Sequence, residues 1–200
     1  DDRILANELV RYAEICRREY TYRYTDFLDP RQQKIAEDIL REFSDVEYEF
    51  NGGIEGSERC ICLLRNENYE NHKGLIPISI LLISWDVERR KLTHRDFLGS
   101  IIGSGIKREK IGDIILDEGK AYVACLSDIA RYLLSNIERI GSTSVRISET
   151  EEAIRKEEKT RILSTTVASL RLDSIIGSGF GFSRSKAVEM VKVGKVRVNW

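Results

Sequence analysis

The sequence has no apolar run near the ~20 residues that a membrane-spanning helix requires. Its longest apolar stretch, Leu75 to Trp85, is broken by Pro77, Ser79 and Ser84 and has the length of a strand. No signal peptide is expected, because Asp1-Asp2-Arg3 leads straight into an amphipathic pattern. Cysteine is scarce and poorly spaced for a metal. The four residues Cys16, Cys60, Cys62 and Cys125 form no CxxC pair, and only His72 and His94 could assist them. Reduced core thiols of a cytoplasmic protein are the expectation, rather than a zinc or disulfide framework. Gly103-Ser104-Gly105 lacks the Gly-Lys-Ser/Thr ending of a phosphate loop. His94-Arg95-Asp96-Phe97 has neither a glycine loop with a strand lysine nor an Asp-Phe-Gly segment to make it a kinase. No nucleophile or second carboxylate marks His94 as a general acid or base. No catalytic residue, metal ligand or cofactor set is therefore assigned.

Net charge is also lacking, at −1 from 32 basic and 33 acidic residues. The balance hides an asymmetry. From Arg155 to Trp200 there are ten basic and four acidic residues, a surplus of six positive charges. The remaining 22 basic and 29 acidic residues leave the rest of the chain at −7. A chain divided in this way points its basic end at a polyanion.

What is present reads as α+β. Leu5, Leu9, Tyr12, Ala13, Cys16 and Tyr20 recur at helical spacing over residues 4–20. Thr25 to Asp29 reads as a connection. Asp29 then caps a second helix with Pro30 in its first position, where the missing N–H costs nothing. Val46–Phe50 and Arg59–Leu64 read as strands around the Asn51-Gly52-Gly53 turn. These elements make a small N-terminal α+β domain, residues 1–72. Arg31, Arg59 and Arg65 read as surface ion-pair residues that could also touch phosphate.

Residues 73–150 follow in the order strand (76–87), helix (93–102), strand (111–116), strand (120–126), helix from Ser127, strand at Val145 and Ile147, with Gly141 ending the second helix. That βαββαβ order is the ferredoxin-like arrangement of RRM domains. The base-stacking platform of an RRM needs aromatics on its central strands. Here only Tyr122 and Trp85 are offered, so RNA contact is expected through loops and basic residues instead. His94, Arg95, Lys107, Arg108 and Lys110 are the candidates for a second RNA contact. Residues 151–159 read as a charged linker.

The last stretch, residues 160–200, reads as two short helices feeding one strand. Ala168, Leu172, Ile175 and Ile176 form a stripe, and Gly177, Gly179 and Gly181 allow a reversal. Ser183 is the N-cap of the second helix. Arg171, Ser183, Arg184, Lys186, Lys192, Lys195, Arg197 and Asn199 form the candidate RNA face, with Asp173 as support for Arg171. The hexapeptide Ser100-Ile101-Ile102-Gly103-Ser104-Gly105 recurs as Ser174 to Gly179. It marks either a second RNA-facing corner or a helix stop used twice.

Arg171-Leu172-Asp173, Ser183-Arg184-Ser185-Lys186-Ala187 and Gly194-Lys195-Val196-Arg197-Val198-Asn199 resemble the αL-type S4 RNA-binding domain. Such a domain continues past the Val-Asn turn, so the S4 fold is expected to be partial in a chain ending at Trp200. Further upstream, Phe27 to Gln33, Gly52-Gly53 with Ser57-Glu58-Arg59, and His94 through Ile114 resemble bacterial YlmH-type S4 proteins. The resemblance implies a cytoplasmic, monomeric, non-enzymatic protein that binds structured RNA, ribosomal RNA and possibly tRNA, on the large ribosomal subunit. Translation or rescue of stalled ribosomes is the setting it implies. Two alternatives stand beside it. One is an RNA-modifying enzyme of the pseudouridine synthase kind, for which the two small domains leave little room. The other is a protein scaffold built on the acidic front of the chain.

Overall fold

A computed structural model of the chain describes residues 2–69, 76–156, 162 and 164–196. They fall into two compact units, Asp1–Glu157 and Glu158–Trp200. Among the described residues, no helix is long and apolar enough to cross a membrane.

The first unit opens with helix α1 (Asp2–Glu19), strand β1 (Tyr22–Tyr24), helix α2 (Pro30–Leu40) and strands β2 (Val46–Asn51) and β3 (Ile61–Asn66). Asp29 caps α2 as predicted. Its carboxylate accepts from the Gln32 N–H, and the Gln32 side chain accepts from the Asp29 N–H. The strands pair antiparallel in the order β1-β3-β2. β1 has no counterpart in the sequence reading; it is three residues long, too short to show alternation, and β3 recruits it at Tyr22↔Arg65 to Tyr24↔Leu63. The helices cover one face of this sheet, where Leu5, Leu9, Ala13, Cys16, Ala36, Leu40, Cys62 and Leu64 form a core.

The second set comprises β4 (Ile78–Ser84), α3 (His94–Gly103), β5 (Ile111–Asp117), β6 (Lys120–Leu126), α4 (Ser127–Asn136), a small hairpin of β7 (Arg139–Ile140) and β8 (Thr143–Ser144), and β9 (Arg146–Thr150). The sheet order is β5-β6-β4-β9 with every pairing antiparallel. This is the ferredoxin-like topology that the sequence order predicts. Gly141 does not end α4, which stops at Asn136. It turns the β7–β8 hairpin instead, at φ 56°.

Alternation along β4 and β6 divides their side chains between two cores. Leu81, Ile83, Ala121, Val123 and Cys125 face α3 and α4. Ile80, Tyr122, Ala124 and Leu126 face the other way, where Phe27, Ile54 and Ile61 of the N-terminal elements cover them. The two sheets therefore share an interior, and both faces of β6 are buried.

Polar bonds close the rim of that interior. The Phe27 N–H donates to the Glu109 carbonyl at 2.8 Å, and Arg59 Nη2 donates to the Phe27 carbonyl at 2.6 Å. Lys110 meets Asp26 at 2.6 Å. Residues 151–156, composed like a linker, are pinned to the first module. Glu55 N–H donates to the Ile154 carbonyl, Lys156 N–H donates to the Glu55 carbonyl, and Ile154 packs into the shared core.

Gly112 shows how closely the modules approach. A Cβ there would lie 2.6 Å from Phe27 Cε1. Gly112→Ala is expected to cost about 1–3 kcal/mol by overpacking. Thermal denaturation reads it, with Phe27→Leu in the same chain recovering part of the loss.

The second unit holds α5 (Leu172–Phe180) and α6 (Arg184–Lys192). Ile176 and Ala187 are buried between them. The first helix starts at Leu172, so Ala168 lies before it rather than in its stripe. Gly177 and Gly179 are helical, and the reversal rests on Gly181, whose left-handed φ of 67° a side chain would strain.

Candidate RNA interface

On the second unit, Ser183 caps α6 by accepting from the Lys186 N–H at 3.4 Å. Arg184 and Lys186 leave from the first turn and Lys192 from the last. At about 100° per residue, Arg184 and Lys192 lie about 80° apart round the helix, while Lys186 lies on the opposite side from Arg184. Lys186 also reaches Glu189 at 3.4 Å. The cations therefore do not form one stripe.

Arg171 and Arg184 are brought together. Both line an open cleft of about 430 Å³ with Ser174, Ser178 and Phe182. Asp173 is buried and takes Arg171 Nε at 3.0 Å and Nη2 at 3.4 Å. That hydrogen bond holds the Asp173 carboxyl below, and the Arg171 guanidinium above, their ordinary pKa values. Asp173 thus orients Arg171 at the cleft wall, as the Arg-Leu-Asp spacing suggests. Lys195 follows the end of α6, where its N–H donates to the Met190 carbonyl and Gly194 N–H to that of Val191. Arg197 and Asn199, and most of the strand expected there, lie outside the described residues, as does His72.

The second candidate group divides. His94 and Arg95 are exposed in the first turn of α3, and Lys107 is exposed before the short 3₁₀ turn Arg108–Lys110. Arg108 turns inward, donating to the carbonyls of Ile111 and Gly112. Burial and the neighbouring Arg59 lower its pKa. Lys110 is committed to Asp26. His94 is held below its ordinary pKa by partial desolvation and by the nearby Arg108 and Lys156, against the pull of Asp113.

Arg31 pairs with Asp2, and Arg65 with Glu47 and Glu49, so two of the three N-terminal arginines are ion-pair residues. The third, Arg59, is half-buried at the seam. The repeated hexapeptide does not build one corner twice. Its first copy ends α3, with Gly105 at φ 93°, whereas its second lies inside α5.

Reasoning from the sequence missed two features. The first is Asp113, which is 8% exposed and accepts from the Glu58 and Arg59 N–H groups at 3.0 and 3.1 Å. It also takes Lys156 Nζ at 2.9 Å. Burial pushes its carboxyl up, but those three donors outweigh it and hold the pKa below the ordinary value. The second is the aromatic pair Phe180–Phe182, whose local signal is two phenylalanines around a glycine, between Arg171 and Arg184. The four thiols are inert. Burial pushes Cys16 and Cys60 up to about 11 and Cys62 and Cys125 to about 12.

A ferredoxin-like domain is one of the folds on which RNA-binding proteins are built. Comparison with known families agrees. Residues 76–153 match the family described as "Putative RNA-binding domain in YlmH". The chain as a whole is similar to YlmH-type proteins. It is 29% identical over 206 residues to the Ribosome-associated protein quality control protein P2 of Bacillus subtilis, covering 100% of this chain and 78% of that protein. Its fold is that of the cell division protein YlmH from Streptococcus pneumoniae, at a TM-score of 0.65 and 20% identity over 74% of this chain and 90% of the other.

Proposed function

We propose that this chain is a non-enzymatic, ribosome-associated RNA-binding protein whose principal RNA surface is the α5–α6 helix pair. One observation carries the assignment of the surface. The sheet face on which an RRM stacks bases is occupied by Phe27, Ile54 and Ile61, so Tyr122 is 8% exposed and is closed to RNA. RNA contact is left to Arg171, Ser183, Arg184, Lys186, Lys192 and Lys195, with Arg197 and Asn199 continuing the surface. Exposed His94, Arg95 and Lys107 form a secondary contact on the other unit, while Arg108 and Lys110 serve the seam. The name of the Bacillus relative supports ribosome association and a role in quality control of translation. The reading extends to structured RNA of the large subunit, ribosomal RNA and tRNA included, bound by a cytoplasmic monomer without a cofactor. The inert thiols support a binding role over a nucleophilic one.

Crosslinking in cells with sequencing of the bound RNA tests this. Ribosomal RNA should dominate; recovery of messenger RNA alone, or of no RNA, overturns the reading. The secondary contact has its own test. Lys107→Glu is expected to lower affinity for ribosomal RNA at unchanged thermal stability. Arg108→Ala is expected to cost about 1–3 kcal/mol of stability through its lost carbonyl bonds. Equal RNA binding by Lys107→Glu and the parent removes the secondary contact.

A further inference from the structure

Phe180 and Phe182 flank Gly181 with their rings stacked, 6.0 Å between centroids and 18° between planes. They are 74% and 38% exposed. Neither belongs to the buried contact of the helix pair, which is made by Ile176 and Ala187. Large apolar rings left in water forgo the free energy their burial would return. A near-parallel pair with an open outer face can accept another flat ring.

The surroundings identify that ring. Phe182 lines the same cleft as Arg171 and Arg184. Asp173 takes Nε and Nη2 of Arg171, and Nη1 has no partner among the described residues. The hydroxyls of Ser174 and Ser178 share the cleft wall. Flat apolar faces beside guanidinium groups and hydroxyls complement a nucleotide, which is a flat ring joined to a sugar and an anion. A paired duplex offers no bare base face, and an apolar protein segment leaves the two arginines unanswered.

We propose that Phe180 and Phe182 form a stacking platform for an unpaired base of the bound RNA, with Arg171 and Arg184 holding the phosphate beside it. This rests on the RNA-binding reading above and adds to it the kind of RNA, one with an exposed base in a loop, bulge or end. It also gives the helix pair a contact that salt does not screen.

The test uses the full chain and two synthetic probes, an RNA hairpin with 2-aminopurine in its unpaired loop and the same stem as a blunt duplex. Phe182→Leu and Phe180→Leu keep the apolar bulk and remove the flat ring, while Phe182→Trp keeps the ring. Stacking predicts quenching of 2-aminopurine by the parent and by Phe182→Trp, and its loss in the leucine variants. It predicts a roughly 5- to 100-fold weaker affinity of the leucine variants for the hairpin alone, with duplex affinity and salt slope unchanged. Unchanged hairpin affinity with no change in quenching overturns the platform and leaves the RNA-binding reading intact. Equal loss on both probes, or a change in self-association without a change in RNA affinity, also overturns it. A parent chain that binds neither probe removes the underlying reading as well.

Discussion

Asp113→Ala is expected to lower the stability of the first unit by roughly 3 kcal/mol and its midpoint of thermal unfolding by roughly 6–12 °C. The substitution strands the N–H groups of Glu58 and Arg59 and removes one of two carboxylates from Lys156. The figure sits at the lower end of the range for breaking a buried pair. Lys156 is 28% exposed and can turn to water or keep Glu58, which it meets at 2.7 Å. The effect also has a pH window. Asp113 is held below its ordinary value, so the stability it contributes is full above about pH 4 and fades as pH falls through its lowered folded pKa. Burial lowers the pKa of Lys156, but hydrogen bonds to Glu58 and Asp113 outweigh that and raise it. Its contribution is therefore full below about pH 10 and fades as pH rises through the raised value. Chemical denaturation of parent and variant should differ most at neutral pH and converge in acid. A constant difference from pH 7 down to pH 2 would show that the carboxylate is not what holds the seam.

Reversing charge at Arg184 and Lys192 together is expected to weaken RNA binding by roughly 100-fold or more, at about 1–3 kcal/mol for each lost contact. The plot of log affinity against log salt should become shallower by about 0.7–0.9 for each phosphate contact removed. Both side chains are exposed and neither carries the fold, so thermal unfolding should be unaffected. Lys186→Glu serves as the contrast. It lies on the far side of α6 from Arg184 and already meets Glu189, so a smaller effect is expected. Equal losses from the three positions would mean that RNA wraps the helix rather than lying against one side. Binding measured at several salt concentrations distinguishes these outcomes.

Much of the fold is legible in the residues because its signals are local. Asp29-Pro30 with Gln32 states where α2 begins. Alternation in β4 and β6, with the turn glycine at 119 between β5 and β6, states the ferredoxin-like order. The seam leaves no such trace. Asp113 meets Glu58 and Arg59 across more than fifty residues, and nothing local distinguishes a carboxylate that bridges modules from one in solvent. The same holds for Arg108 and Lys110, whose charges sit in a basic run but are satisfied by Ile111, Gly112 and Asp26. For the RNA face, the types and spacing of Arg171, Ser183 and Arg184 were readable. The convergence of Arg171 and Arg184 on one cleft, and the departure of Lys186 from it, depend on helix phase and on the left-handed turn at Gly181.

The double burial of β4 and β6 has a consequence for how this protein can be divided. The segment that matches the YlmH domain, residues 76–153, is a recognisable stretch of sequence but not a self-sufficient body. Cut out alone, it would bare Ile80, Tyr122, Ala124 and Leu126 across one whole sheet face and lose the lid made by Phe27, Ile54 and Ile61. The unit that can be transplanted, inherited or cleaved away intact is the whole of residues 2–156, and the smaller modules within it are halves of a single interior.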